Sequence, residues 1–152
     1  NGLVTAKRVG KTTLTARTSD RLFSTLCEVA VLPTNFLYKE PYVDFGKDQA
    51  FILKKEDRHL TVQIPDAMVF AGENKDIRYL NYRFRDKEYY ESFVVLAGGG
   101  DIQVRTLDFL SQRYELLGSS LNRFYFGNEN VLVTTGADVN QDLVILYFPK
   151  GN

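Results

Sequence analysis

The sequence contains one cysteine, no tryptophan, a single histidine and no excess of either charge. With Cys27 as its only cysteine, the chain can form neither an internal disulfide nor a metal cluster built from cysteines. Its 19 basic residues balance its 19 acidic ones, so the basic excess typical of nucleic-acid-binding proteins is missing. No apolar run approaches the roughly 20 residues that a membrane-spanning helix needs. These absences argue against nucleic acid as a partner and against a membrane span in this chain.

The composition is that of a globular, β-rich protein. Hydrophobic residues make up 44% and charged residues 25% of the 152 positions, which excludes wholesale disorder. The length suits one ordinary domain or two small ones. Nine tyrosines and 11 phenylalanines favour strands over helices.

The chain begins as if in the middle of a β-domain. Asn1-Gly2 is a dipeptide typical of tight hairpin turns, since glycine readily adopts the positive φ that such a turn requires. No strand-like run precedes it. Three strand-like runs follow, and in the last of them alternate residues form an apolar set that includes Cys27. This pattern predicts three antiparallel strands with one core-facing side, half of a sandwich whose leading strands lie upstream in a longer protein. The runs are Leu3–Arg8, Thr12–Thr18 and Phe23–Leu32.

The segments NGLVTAKRVGKTTLTA (1–16) and CEVAVLP (27–33) resemble the C-terminal half of a bacterial immunoglobulin-like group 2 domain. Such domains carry a turn-Gly-x-Val-x-Ala segment, a Val-Gly-x-x-x-Leu/Ile-x-Ala hairpin and a closing strand that ends near proline. The resemblance implies that residues 1–36 are a partial domain of this kind with its linker. Two prolines in Pro33–Pro41 are typical of a linker, and we place the boundary near Phe36.

Helix and strand signals alternate in the remainder, residues 37–152. A short helix is predicted over 46–56, with Asp48 in its first turn, and a longer one over Ile102–Leu117, with Asp101 as N-cap and Gly118 beyond its end. With the strand-like runs, the helices predict an α+β domain, an antiparallel sheet with two helices packed on one face. The runs are Leu60–Ile64, Ala67–Ala71, Ile77–Arg85, Tyr89–Ala97, Arg123–Phe126, Val131–Thr135 and Leu143–Phe148. The predicted fold class is therefore a β-sandwich fragment plus α+β.

Four segments of this remainder resemble the C-terminal domains of some Gram-negative surface lipoproteins: LYKEPYVDFGKDQAFILK, YLNYRFRD, TLDFLSQRYE and VILYFPK, within residues 37–150. Those domains follow immunoglobulin-like group 2 repeats and have no assigned chemistry. The resemblance implies a location at the cell surface or in the periplasm and a lipoprotein anchor elsewhere in the protein.

Motifs that carry chemistry are incomplete. Gly10-Lys11-Thr12 lacks the first glycine of a phosphate-binding loop, since Thr5 stands there, and a hairpin turn is favoured. Gly98-Gly99-Gly100 precedes a helix, but a capping Asp101 would occupy the amides that an anion needs. His59 has no nucleophile or metal-ligand partner nearby and is predicted at the surface, whereas Cys27 is predicted in the core.

The loop with Asp138, Asn140 and Asp142 spaces its oxygen atoms as a calcium site does. The glycine and glutamate that complete a helix-loop-helix calcium site are replaced by Leu143 and Pro149, which favours an ordinary hairpin loop. The spacing alone does not decide whether these residues bind calcium. The sequence identifies no other metal site and no cofactor.

Two functional hypotheses follow. The first is a non-enzymatic module of a bacterial surface or periplasmic protein, a spacer joined to a structural, protein-binding or glycan-binding domain. Its binding face would be the outward side of Arg78–Arg85 and the neighbouring strand, since tyrosine and arginine favour such contacts. The candidate residues are Tyr79, Arg83, Arg85, Tyr89 and Tyr90. The alternative is a glycan-active enzyme or accessory domain whose carboxylates line a tyrosine-rich cleft.

Overall fold

The strands form two separate antiparallel sheets in the computed structural model, which describes residues 3–121, 123–137 and 142–151. A two-stranded sheet contains β1 and β2, and an eight-stranded sheet has the order β3-β4-β5-β6-β10-β9-β8-β7. The elements are β1 (Gly10–Arg17), β2 (Ser24–Val31), α1 (Gln49–Lys55), β3 (Leu60–Ile64), β4 (Ala67–Ala71), β5 (Ile77–Arg85), β6 (Glu88–Leu96), α2 (Ile102–Ser111), β7 (Glu115–Ser120), β8 (Arg123–Gly127), β9 (Val131–Ala137) and β10 (Leu143–Pro149).

The predicted fold class is wrong. The described chain is 48% strand and 12% helix, so it is mostly β, and its N-terminal part is a two-stranded hairpin and not a three-stranded immunoglobulin-like piece. The predicted strand Leu3–Arg8 is irregular, because an alternating run becomes a strand only where another strand supplies its hydrogen bonds. At Val9 the chain instead donates its backbone N–H to the carbonyl oxygen of Gln112, at 2.8 Å.

The hairpin, β1 with β2, pairs Leu14 with Cys27 and Thr12 with Val29, so these four side chains share one face. That face is not a core. Cys27 is exposed, which contradicts its predicted burial, and Leu26 on the opposite face is 69% exposed. No other described strand pairs with either strand of the hairpin. Gly10-Lys11-Thr12 opens β1 and is not a turn.

Helix α2 ends at Ser111, six residues before its predicted end at Leu117. The apolar spacing that predicted a longer helix continues through residues 114–117. From Glu115 onwards these residues form β7 and pair with β8 instead of continuing the helix. Gly118 lies in β7 beside a register shift and not at a helix end. Helical periodicity depends only on residues that are close in sequence. The pairing of β7 with β8 is a tertiary interaction, which this periodicity cannot predict and which overrides it here.

The segment predicted as a linker lies partly in the core. We call residues 34–48, which contain neither helix nor strand, the strap. Leu37 and Tyr38 are only 3% and 5% exposed and pack with the inner face of the eight-stranded sheet, whereas Phe36 is 75% exposed. Ile52 of α1 and Phe109 of α2 join the same cluster. The strap, both helices and the large sheet together form what we call the body.

The hairpin and the body should respond differently to truncation of an apolar side chain. Phe109→Ala, in the core, should lower the free energy of unfolding by about 3–5 kcal/mol because it leaves a cavity. Leu26→Ala, on the hairpin, should change it by less than about 0.5 kcal/mol. Urea unfolding followed by tyrosine fluorescence measures both, and equal losses would contradict this division of the core.

Candidate functional site

The outward side of β5 presents the predicted polar residues. Leu80, Tyr82 and Phe84 are buried. Tyr79, Arg83 and Arg85, at the alternate positions, are exposed, and this alternation confirms the period-two pattern of the sequence. The face is open because the buried side chains of the helices and the strap belong to the core on the other side of the sheet.

A stack of two arginines on one tyrosine dominates this face. The guanidinium carbons of Arg83 and Arg85 lie 5.5 and 4.6 Å from the ring centroid of Tyr90, a cation–π arrangement. Arg83 Nη1 also lies 3.3 Å from Glu91 Oε1. Among the described residues, no carboxylate lies within ion-pair distance of Arg85. The guanidinium of Arg85 is therefore held in place while its hydrogen-bond donors stay available.

The turn between β5 and β6 brings these residues together. Asp86 and Lys87 form a two-residue loop and both have positive φ, 52° and 71°. Such a loop matches the twist of the two strands it joins and therefore fixes their register.

Tyr79, nearer the start of β5, extends the face with apolar surface. Its ring makes an edge contact with Phe93, with centroids 6.1 Å apart. We call Tyr79, Arg83, Arg85 and Tyr90 the Arg–Tyr face.

Tyr89 does not belong to this face, which corrects its place among the candidate residues. It is 1% exposed, its ring stacks on Phe45, and its hydroxyl donates to the carbonyl oxygen of Tyr42 and lies 2.8 Å from Ser92 Oγ. Adjacent strand residues point to opposite sides, so Tyr89 and Tyr90 cannot share one face. The sequence did not show which of them points outward, because β6 shifts register near Phe84.

Two carboxylates that the sequence did not indicate lie in polar clusters, the partly buried Glu40 and the buried Glu56. Glu40 of the strap accepts a hydrogen bond from the hydroxyl of Tyr114 at 2.7 Å and lies 3.2 Å from Arg113 Nε. The hydroxyl of Tyr147, itself hydrogen-bonded to that of Tyr38, is 3.5 Å from the same carboxylate. Burial raises the pKa of Glu40 above its ordinary value of 4.5, and the contacts with Tyr114 and Arg113 offset this only in part.

The second of these carboxylates, Glu56, lies just beyond α1. It receives a hydrogen bond from the hydroxyl of Tyr82 at 2.8 Å and from Arg58 Nη1 at 2.9 Å. Arg58 Nε also donates to Glu73 at 2.8 Å, and its other nitrogen donates to the carbonyl oxygen of Lys39. Burial, the largest single influence, favours a higher pKa for Glu73, but the hydrogen bonds from Arg58 and from the N–H of Lys39, together with the charge of Arg58, outweigh it and lower that pKa. Although the neighbouring His59 is predicted at the surface, Glu56 and Arg58 are almost wholly buried.

A cavity of about 320 Å³ lies beside this cluster and is lined by Lys39, Arg58 and Glu73 among others. Two further cavities lie away from it. One of about 800 Å³ separates residues 8–11 from the β8–β9 loop, and none of its described lining residues is a tyrosine. Another, of about 360 Å³, is lined by Gly98–Gly100 and the start of α2. Asp101 stands at the N-cap position but makes no capping hydrogen bond with its side chain, contrary to the prediction.

No cluster of three or more histidine, cysteine or acidic side chains that could hold a metal ion occurs among residues 3–121, 123–137 and 142–151. Of the suggested calcium ligands, Asp138 and Asn140 lie outside the described residues. Asp142 lies 2.9 Å from Arg78 Nε and accepts a hydrogen bond from the backbone N–H of Gly98. His59 is exposed, as predicted.

The chain was also compared with known proteins. No family model, no curated protein and no solved structure matches it. Neither α1 nor α2, the two helices of the described residues, is long and apolar enough to cross a membrane.

Glu40 should make stability depend on pH. Because its pKa is higher in the folded chain than its ordinary 4.5, folding binds its proton more tightly, and this stabilisation is lost as pH rises through the folded pKa. Relative to Glu40→Gln, the wild-type chain should therefore gain unfolding free energy as pH falls from 7 towards about 4.5. Urea titrations at several pH values measure the difference. A difference between the wild type and Glu40→Gln that stays flat over this pH range would contradict the assignment.

Proposed function

We propose that this chain is a non-enzymatic module of a bacterial cell-surface or periplasmic protein, in which the hairpin is a spacer and the body binds a protein or a glycan. Two features support the proposal. Residues 1–33 resemble the end of a bacterial immunoglobulin-like group 2 domain, and residues 37–150 resemble the surface-lipoprotein domains that follow such repeats. The hairpin pairs with no other described strand, which suits a connecting element.

The observation that carries the binding role is the stack of Arg83 and Arg85 on Tyr90. Arginine and tyrosine are the side chains most enriched among residues that dominate binding energy. A guanidinium already held against a ring loses less conformational freedom on binding than a free one. The neighbouring Tyr79 adds partly exposed apolar area to a flat surface. Binding is therefore proposed at the Arg–Tyr face.

The alternative function is a glycan-active domain, and one observation favours it. Burial raises the pKa of Glu40, and the hydroxyls of two tyrosines, Tyr114 and Tyr147, lie against it, which is the environment that tunes a general acid. Arg113 and Tyr114 occupy the carboxylate, so a substrate would have to displace them. Hydrolysis of a glycan panel that is lost in Glu40→Gln would establish this alternative in place of the first.

Binding should depend on the Arg–Tyr face. Replacing Tyr79 and Arg83 together by alanine should weaken any interaction found on a glycan array or with isolated envelope proteins by at least about tenfold, with the fold intact. Arg85→Ala should do the same, because Arg85 has donors available for a ligand. The control is Arg17→Ala, which removes an exposed arginine of the hairpin.

Titration of the identified ligand against each variant, by calorimetry, gives the dissociation constants. Circular dichroism spectra verify that the variants fold. Equal affinity of wild-type protein, the double variant and Arg85→Ala would refute the proposed face.

A further inference from the structure

The end of α2 holds the two chain segments that flank the hairpin, which we call its legs: residues 8–9 before β1 and residues 32–35 after β2. The backbone carbonyl oxygen of Gln112 accepts the N–H of Val9, just before β1, at 2.8 Å. The side-chain oxygen of the same residue accepts the N–H groups of Thr34 and Asn35, just after β2, at 2.9 and 3.3 Å. Its side-chain nitrogen donates to Asp108, one turn back in the helix, which fixes the side chain. One residue thus ties down the chain where it enters the hairpin and where it leaves.

The next two residues hold the strap. Arg113 Nη2 donates to the carbonyl oxygen of Asn35 at 2.9 Å, and Arg113 Nε lies 3.2 Å from Glu40. The hydroxyl of Tyr114 donates to the same carboxylate at 2.7 Å. Asn35 in turn donates from its side chain to Asp108 and to the carbonyl oxygen of Arg105. The end of the helix, the strap and both hairpin legs therefore share one connected set of hydrogen bonds.

We propose that Gln112–Tyr114 is a joint that fixes the direction in which the hairpin leaves the body. The hairpin shares no strand pairing with the eight-stranded sheet, so the sheets themselves do not set its direction. An ion pair between Arg8 and Glu115 also links the two parts, but it is an exposed pair of the kind that contributes little. The inference is independent of what the Arg–Tyr face binds.

Gln112 is the residue on which the joint depends. Arg113 and Tyr114 act on the strap, which the core also holds through Leu37 and Tyr38. Val9 and Thr34, by contrast, are held through Gln112. Loss of its side-chain oxygen releases the N–H of Thr34 and that of Asn35. Asn35 stays bonded to Arg105, Asp108 and Arg113, so the freedom is gained by the chain between β2 and Asn35.

The native cysteine makes the joint measurable. Cys27 is exposed on the hairpin, and Lys75→Cys adds a second exposed site on the body. Spin labels at these two positions report the distribution of distances between hairpin and body by pulsed electron paramagnetic resonance. The wild-type background should give one narrow distribution. Gln112→Ala should broaden it by about twofold, because local opening then costs little free energy.

Two further variants decide the outcome. Gln112→Glu is made in an Asp108→Asn background, so that the amide of residue 108 donates to the new carboxylate and no like charges meet. This variant keeps an oxygen that accepts the N–H groups of Thr34 and Asn35, so it should restore the narrow distribution. Gln103→Ala changes an exposed glutamine of the same helix and should have no effect. Thermal unfolding verifies that the body stays folded. A distribution in Gln112→Ala as narrow as in the wild type would overturn the joint, and so would a broad one in Gln112→Glu.

Discussion

The hydroxyl groups of buried tyrosines hold the strap against the sheet, and the rest of the structure depends on this. The hydroxyl of Tyr82 accepts the backbone N–H of Tyr42 at 3.0 Å and donates to Glu56, while the hydroxyl of Tyr89 donates to the carbonyl oxygen of Tyr42 at 2.9 Å. A segment without helix or strand cannot satisfy its own backbone, and each buried group left unpaired costs about 1–3 kcal/mol. Tyrosine supplies a large apolar ring to the core and a polar atom at its tip, so the strap can lie on the sheet where a helix would otherwise pack.

Charged groups extend this arrangement to both ends of the body. Arg58 links Glu56 to Glu73 on one side, and Arg113 links Glu40 to the end of α2 on the other. Breaking a buried pair by removing one partner leaves an uncompensated charge, so these contacts specify one position for the strap. Because the strap and the helices occupy the inner side of the sheet, its outer side stays open, and the Arg–Tyr face lies there. The location of the proposed binding face therefore depends on the strap and helices covering only the inner side of the sheet.

The sequence predicted features that depend on neighbouring residues and missed those that depend on distant ones. The alternation in β5 is local and occurs as predicted. The short helix α1 is local too, but Asp48 is its N-cap and does not lie in its first turn as predicted. The partners of Glu40 lie 74 and 107 residues away, and no spacing rule connects them. The predicted end of α2 was wrong for the same reason, since the pairing of β7 with β8 overrides the helical periodicity. For the site, the outward side of β5 was predictable, but the register shift that separates Tyr89 from Tyr90 was not.

Hydrogen exchange of the strap amides tests the central claim most directly. The N–H of Lys39 donates to Glu73, that of Tyr42 to Tyr82, and that of Gly46 to the carbonyl oxygen of Tyr89. If buried partners hold the strap, these three amides should exchange about as slowly as those of β5 and β6, because all of them then open only with the core. Exchange at the rate of an unstructured peptide, with the strands still protected, would contradict the account.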